Sequence, residues 1–317
     1  MVKALALMSG GLDSVLAAKL VKDQGIEVIA ISFKTVFQTE ASDKAIENAK
    51  SIGVPIEVID VSDDYLRMIE QAPHGYGSGK NPCIDCRMYF LKKAWEKAKS
   101  MGAEFLITGE VLGQRPMSQQ MKQLKLIEEE TGLKGKILRP LSGKLLPPTD
   151  AEKWLEREKL LDIQGRSRKK QLALAKKHGI TSFSTPAGGC LLTEKEFAAK
   201  LEDAWEHKKK LPKREYELLK IGRHFRKGEN KIIVGRNEEE NKRLLELKKS
   251  ELVFEVLGVG SPETLLQGPK TKEAIRLAAS LTARYSDSEE EVVEVDYNKK
   301  KIKVRASQDS EIKKLRV

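Results

Sequence analysis

A short apolar run that breaks on two glycines and re-enters as a helix limits this chain most. Val2–Met8 has the length and apolarity of a buried strand. Ser9-Gly10-Gly11-Leu12-Asp13-Ser14 follows at once, and Ser14–Gln24 carries Val15, Leu16, Ala18, Leu20 and Val21 as a helical stripe. Strand, tight turn and helix in that order open a β–α unit. The glycines free the turn to present successive backbone N–H groups, and the helix start adds partial positive charge. Ser9 and Ser14 add hydroxyl donors, so the parts suit phosphate. Asp13 would serve Mg²⁺ or the shape of the loop. The spacing matches neither the dinucleotide fingerprint nor the Walker A loop.

The alternation continues. Glu27–Phe33, Ile56–Val61, Glu104–Thr108 and Lys136–Leu141 read as strands, and Asp43–Ile52, Ile84–Met101 and Met117–Glu130 as helices. This predicts an α/β fold with a doubly wound parallel sheet. Past Pro147 and Pro148, helical stretches are expected over Asp150–Leu161 and Ser167–His178, then a Gly/Pro-rich loop, Thr185–Cys190, and a helix from Glu194. Lys208–Lys213 reads as a basic linker. Beyond it, Lys231–Val234, Leu252–Val256, Val292–Asp296 and Lys301–Arg305 look like strands around one strong helix, Lys270–Tyr285. A smaller α+β domain with its own core is predicted there, dividing the chain into 1–207 and 208–317. A chain of 317 residues has room for both.

The net charge of +11 is uneven along the chain. Residues 1–150 hold 20 Lys+Arg against 19 Asp+Glu, and residues 151–317 hold 38 against 28. A basic second half suggests a polyanion partner such as nucleic acid. Arg166–His178 has six Lys/Arg and no acid. Trp205–Arg236 has 11 against four Glu, with Trp205, Tyr216, His224 and Phe225 interleaved. That mixture suits phosphate contact with stacking on exposed bases. No apolar run reaches the roughly 18 residues of a membrane span, and the N-terminus lacks the basic start of a signal peptide. A cytoplasmic protein without membrane association is expected.

Three cysteines form no closed disulfide framework. Cys83 and Cys86 sit in Asn81-Pro82-Cys83-Ile84-Asp85-Cys86 at a helix start, and Cys190 follows Gly188-Gly189. A structural zinc site wants four ligands, and the histidines have no matching spacing. A dithiol redox pair leaves Cys190 idle, and a persulfide mechanism leaves one cysteine over. A [4Fe–4S] cluster with one open iron uses all three. Ordinary buried cysteines are the bland reading.

Two family resemblances add to these readings. Ser9–Ser14 resembles, residue for residue, the SGGxDS signature of the PP-loop ATP pyrophosphatases, which have an adenine-nucleotide α-hydrolase sheet. That family splits ATP between the α and β phosphates and adenylates a substrate oxygen. The resemblance implies that Ser9, Gly10, Gly11, Asp13 and Ser14 hold pyrophosphate, and that backbone near Ser32 and Phe33 contacts adenine. Asn81–Gln114, NPCIDCRMYFLKKAWEKAKSMGAEFLITGEVLGQ, resembles the central block of the tRNA thiouridine synthetases. Its Thr108-Gly109-Glu110-x-x-Gly113-Gln114 segment is similar to the 4-thiouridine synthetases, which places Gly109 and Gln114 among the nucleotide contacts; Asn81-Pro82-Cys83 is similar to the 2-thiouridylases. Iron–sulfur members carry Cys-x-x-Cys and a distant third cysteine, so the resemblance implies Cys83, Cys86 and Cys190 as cluster ligands. This likeness covers roughly residues 1–190, without a THUMP-like or rhodanese segment. Lys231–Asn241, the Lys270–Tyr285 helix and Val293–Tyr297 resemble the RNA-binding domain of the NFACT ribosome-quality-control proteins.

Together the resemblances imply ATP-dependent thiolation of a tRNA uridine. Asp13, Cys83, Cys86 and Cys190 would be catalytic, with ATP, Mg²⁺ and a [4Fe–4S] cluster as cofactors and tRNA and a sulfur donor as partners, in a monomer or homodimer. Two alternatives stand: a PP-loop ligase or amidotransferase acting on a small molecule, with zinc at the cysteines, and an RNA-associated protein that only senses ATP.

Overall fold

The computed structural model describes residues 1–37, 41–183, 190–208 and 210–317. They form two compact units, Met1–Thr193 and Glu194–Val317.

The first unit runs β1 (Lys3–Leu7), α1 (Leu12–Lys22), β2 (Glu27–Lys34), α2 (Ala41–Ser51), β3 (Ile56–Asp60), α3 (Ser62–Glu70), α4 (Cys83–Ser100), β4 (Phe105–Ile107), α5 (Met121–Thr131), β5 (Ile137–Leu138) and α6 (Lys169–Lys177). Its five strands form a parallel sheet in the order β3-β2-β1-β4-β5. Helices cover both faces, which is why the central strands β1 and β4 are apolar without alternation. Ala4 and Ala6 of β1 face a core shared with Leu12, Val15 and Ala18 of α1. Leu5 points the other way, to Met88 and Leu91 of α4 and Ile127 of α5. Strand order reverses at β1 and β4, so the loops after these two strands flank the crevice where doubly wound folds bind ligands.

Three segments depart from the sequence reading. Helix α3 was not foreseen; it buries Ser62, Tyr65, Leu66 and Ile69, a stripe with one polar member. The expected strand Lys136–Leu141 shrinks to two residues because Pro140 cannot donate to the ladder and opens a 3₁₀ turn, Pro140–Leu145. Asp150–Leu161 forms no α-helix but two 3₁₀ turns, Asp150–Lys153 and Arg157–Lys159. Trp154, Leu155, Leu160 and Leu161 dock into the α1 core from this irregular chain. Thr185–Gly189 lies outside the described residues.

The second unit runs α7 (Lys195–His207), α8 (Lys213–Leu219), β6 (Arg223–Lys227), β7 (Asn230–Val234), α9 (Glu238–Leu247), β8 (Leu252–Glu255), β9 (Thr264–Gln267), α10 (Lys272–Arg284), β10 (Val293–Tyr297), β11 (Lys300–Val304) and α11 (Asp309–Leu315). The basic stretch Lys208–Lys213 joins α7 to α8 inside this unit. The strands form an antiparallel sheet ordered β11-β10-β8-β9-β7-β6. Leu277, Ala278 and Leu281 of α10 pack with Phe225, Ile232, Phe254 and Val295 of the sheet. Leu218 and Leu244, from α8 and α9, pack with Ile233 and Leu265. Side-chain caps from Asn237 and Thr271 start α9 and α10. Strand β6 escaped the sequence reading because Arg223-His224-Phe225-Arg226-Lys227 reads as a charged segment. Its His224 and Phe225 are buried, as is Tyr216, so these three build the core and do not offer rings to bases.

Candidate nucleotide and sulfur site

The loop between β1 and α1 is held from several sides. Gly10 has φ +74°, a conformation glycine adopts without penalty. Its carbonyl accepts from Asn48 Nδ2 of α2 at 3.1 Å, inside the protein. Ser14 Oγ donates to the Gly11 carbonyl at 2.8 Å and lies 3.4 Å from the Ser9 N–H. Asp13 Oδ2 accepts from Gln114 Nε2 at 3.0 Å. Its other oxygen, Oδ1, is buried without a hydrogen-bond partner. A buried carboxylate oxygen left open calls for a cation or a donor from a ligand.

The segment after β4 clasps this loop. Gly109 lies so close that a Cβ built on it would meet the Ser14 backbone nitrogen at 2.4 Å and the Asp13 carbonyl carbon at 2.5 Å. Only glycine permits that approach. Glu110, next in the chain, is fully buried. Arg139 Nε donates to its Oε2 at 2.9 Å, Thr108 Oγ1 donates to the same oxygen at 3.1 Å, and Arg87 Nε lies 3.0 Å from its Oε1. Burial alone would raise the Glu110 pKa, but the Arg87 and Arg139 guanidinium groups outweigh it and hold the carboxyl below its usual range. Arg139 also pairs with Glu128, while its Nη2 is buried without a partner.

Arg87 stands directly after Cys86, so Glu110 ties the first turn of α4 to the segment that packs on the glycine loop. Cys83 opens α4 with Pro82 at its N-cap. Asn81 Nδ2 donates to Cys83 Sγ at 3.1 Å and also lies 3.5 Å from Met117 Sδ. Tyr65 Oη and Cys86 Sγ are 3.2 Å apart. The segment of the third cysteine lies against this turn: the Lys80 N–H donates to the Leu192 carbonyl at 2.9 Å, two residues past Cys190. Burial pushes the Cys190 thiol up to about 12, and negative charge on Cys86 and Cys83 would add to the rise, while Arg115 opposes it. Burial likewise pushes Cys86 up to about 11, against the Tyr65 hydrogen bond and Arg87. All three cysteines are free. Among the described residues, no three His, Cys, Asp or Glu side chains are set to hold a metal ion.

The structure therefore brings Ser9, Gly10, Gly11, Asp13, Ser14, Gly109 and Gln114 to one place. Segment 108–117 touches both the glycine loop and the Asn81–Arg87 turn. Ser32 and Phe33 lie in the last three residues of β2; Ser32 is buried, and the Phe33 ring stacks on Phe90 at 5.2 Å. Sequence reasoning missed Asn48, Arg87, Glu110 as a charge hub, and Arg139. A signal existed for two of them. Glu110 and Arg139 are lone charges at the ends of the apolar runs Phe105–Ile107 and Ile137–Leu138, and charges in such places are buried only in pairs.

Sheet order and the glycine loop at the switch point give the first unit a doubly wound α/β fold. Residues 1–146 match the family model "Thiamine biosynthesis protein (ThiI)", and residues 222–316 match "NFACT protein RNA binding domain". The chain is thus similar to the ThiI family over its first unit and to the NFACT RNA-binding domain over its second. It is 37% identical over 124 residues to the tRNA-specific 2-thiouridylase MnmA of Clostridium acetobutylicum, covering 34% of this chain and 35% of that protein. It is 29% identical over 174 residues to a probable tRNA sulfurtransferase of Thermococcus kodakarensis, covering 51% of this chain and 39% of that protein. These matches span little more than a third of each relative's length. A solved complex of a 4-thiouridine synthetase with RNA and bound ATP aligns with a TM-score of 0.42 at 20% identity, over 64% of this chain and 50% of that chain. Among the described residues, no helix is long and apolar enough to cross a membrane.

Proposed function

We propose that the chain is an ATP-dependent tRNA sulfurtransferase that thiolates a uridine. One observation carries the reading: segment 108–117 contacts the glycine loop through Gly109 and Gln114 and the cysteine turn through Glu110 and Met117. An activating nucleotide and a sulfur-handling group are then neighbours. Ser9, Gly10, Gly11 and Ser14 would bind pyrophosphate through N–H and hydroxyl donors. Asp13 Oδ1, open and buried, suits Mg²⁺ on the phosphates, which would supply charge neutralisation when bound. Backbone at Ser32 and Phe33 would border adenine, and Gln114 would fix the Asp13 rotamer.

The uridine carbonyl oxygen is a poor leaving group. Its attack on the α-phosphorus breaks the bond to the β-phosphate and frees pyrophosphate; sulfide then adds to the activated carbon, and AMP departs with the oxygen. The loop donors stabilise the charge that builds on pyrophosphate. Cys83, Cys86 and Cys190 would hold a [4Fe–4S] cluster, which when bound supplies an open iron for a sulfur ligand. The segments that would hold it are neighbours: the Lys80 N–H donates to the Leu192 carbonyl at 2.9 Å, two residues past Cys190, and Asn81 and Tyr65 are hydrogen-bonding neighbours of Cys83 and Cys86. The NFACT-type unit would add RNA contacts.

The test is mass spectrometry of tRNA nucleosides from a deletion strain. One thiouridine should vanish and return with the wild-type gene, but not with Cys190→Ser or Asp13→Ala. Identical thionucleosides with and without the gene would end the thiolase reading. Anaerobic reconstitution should give about four irons per chain, and zinc in their place would remove the cluster.

A further inference from the structure

Residues 163–193 hold six Lys and Arg and no Asp or Glu. The rest of the first unit is neutral, with 23 of each sign. The whole charge excess of the PP-loop unit therefore comes from one segment, and the fold places that segment beside the nucleotide site. Gln164 forms a parallel bridge with Leu112, and the Gly165 N–H donates to the Leu112 carbonyl at 2.7 Å. Ser142 ties the two chains together: its Oγ accepts from the Leu112 N–H at 2.9 Å and donates to the Ile163 carbonyl at 2.6 Å. Two residues beyond Leu112, Gln114 grips Asp13. Arg166 thus begins the basic run one residue past a backbone bond to the segment after β4 that contacts the glycine loop.

Helix α6 then turns its charges outward. Gln171, Leu174 and Ala175 face inward, with Leu174 and Ala175 in the α1 core. Lys169, Lys176 and Lys177 are exposed, at the i, i+7 and i+8 positions of one face, and Arg166 is exposed just before them. Among the described residues, Lys170 alone of this run has a carboxylate partner, Asp162 at 2.8 Å. Unpaired cations on a rigid helix are complementary to the evenly spaced phosphates of a nucleic acid backbone.

We propose that Arg166, Lys169, Lys176 and Lys177 form an RNA-backbone contact within the PP-loop unit, seating phosphates near the target nucleotide at the nucleotide site. This rests on the RNA-thiolase reading and adds to it where the catalytic unit itself grips its substrate.

The test compares full-length wild type with R166A/K169A/K176A/K177A. Binding of unmodified tRNA is measured by fluorescence anisotropy across a salt series, and ATP binding by calorimetry. Alanine keeps the helix, so ATP affinity should hold while tRNA affinity falls about tenfold or more and the slope of log K against log salt drops by about 2 to 4, near one per phosphate lost. If the quadruple variant loses ATP binding, R166A/K169A and K176A/K177A are measured separately, each expected to lose about half the slope change. Salt-dependent wild-type binding with an unchanged variant overturns this inference and leaves the thiolase reading intact. Wild type that binds no RNA overturns both.

Discussion

In the first unit 29 Lys and Arg meet 23 Asp and Glu, and in the second 29 meet 24. Cutting the sequence at residue 150 had put nearly all the excess in the second half; the structural boundary shares it almost equally. The deployment differs. The first unit gathers its excess on one acid-free segment. The second disperses it and pairs much of it locally, as in Lys227–Glu273, Arg236–Glu240, Arg284–Asp309, Lys301–Glu294 and Arg305–Glu291. Exposed pairs of this kind contribute little to stability and hold down the local field. Net charge per unit thus hides how differently the two units distribute it along the chain.

The buried charges differ in the same way. Glu110 with Arg87 and Arg139 joins two loops that meet at the site, and an Arg139 nitrogen and an Asp13 oxygen remain unpartnered there. Asp203 of the second unit is closed on itself: Arg226 donates to it twice, at 2.7 and 2.8 Å, and Lys231 once, at 3.0 Å. That network fastens α7 to β6 and β7. The first arrangement is built to hold geometry for something else, and the second to hold the fold.

Four substitutions probe this contrast. The largest effect is expected from Gly109→Ala, whose Cβ must push the Asp13–Ser14 backbone. Displacing the loop by an ångström should cost about 10²-fold in ATP-dependent pyrophosphate release. Normal release would mean that the clasp is incidental. Next, Glu110→Gln leaves two arginines short of a buried partner and should lower stability by about 3 kcal/mol, read by thermal denaturation. A small loss would show that water reaches this hub, and that the two buried networks are alike.

Third, Asp203→Asn should cost about 1 to 2 kcal/mol in the second unit, after discounting for partial solvent access. Burial would raise the Asp203 pKa, but Arg226 and Lys231 bring it down to about 2. The folded value lies below the unfolded one, so the stabilisation is present above about pH 4 and is lost as pH falls toward 2. Denaturant midpoints of wild type and variant should converge over that window; a constant gap would refute the charge-based account. The smallest effect is expected from Lys303→Ala on β11, where charge is dispersed. The salt slope for tRNA should change by less than about 1. A larger change would move the main RNA contact to the second unit and weaken the contrast.

Periodicity and turn chemistry are local, and what they govern is legible in the sequence alone. The β–α alternation, the glycine loop, the first turn of α4 at Cys83 and Cys86 and the α10 helix all follow from side chains within a few residues of one another. Elements whose stability comes from distant partners were not legible. β6 is a strand because β7 pairs with it and α10 covers Phe225, though its own residues read as charged surface. Asp150–Leu161 is irregular because four apolar side chains each find a place around α1, and no single helical face could deliver all of them. The bland fate of Tyr216, His224 and Phe225 was decided in the same way, by what packs on them. The chain's own order determined that a glycine loop at a helix start and a Cys-x-x-Cys pair are present. Only the tertiary structure decided that segment 108–117 joins them, because a glycine-to-backbone contact across 95 residues and a carboxylate shared by two distant arginines leave no local trace in the sequence.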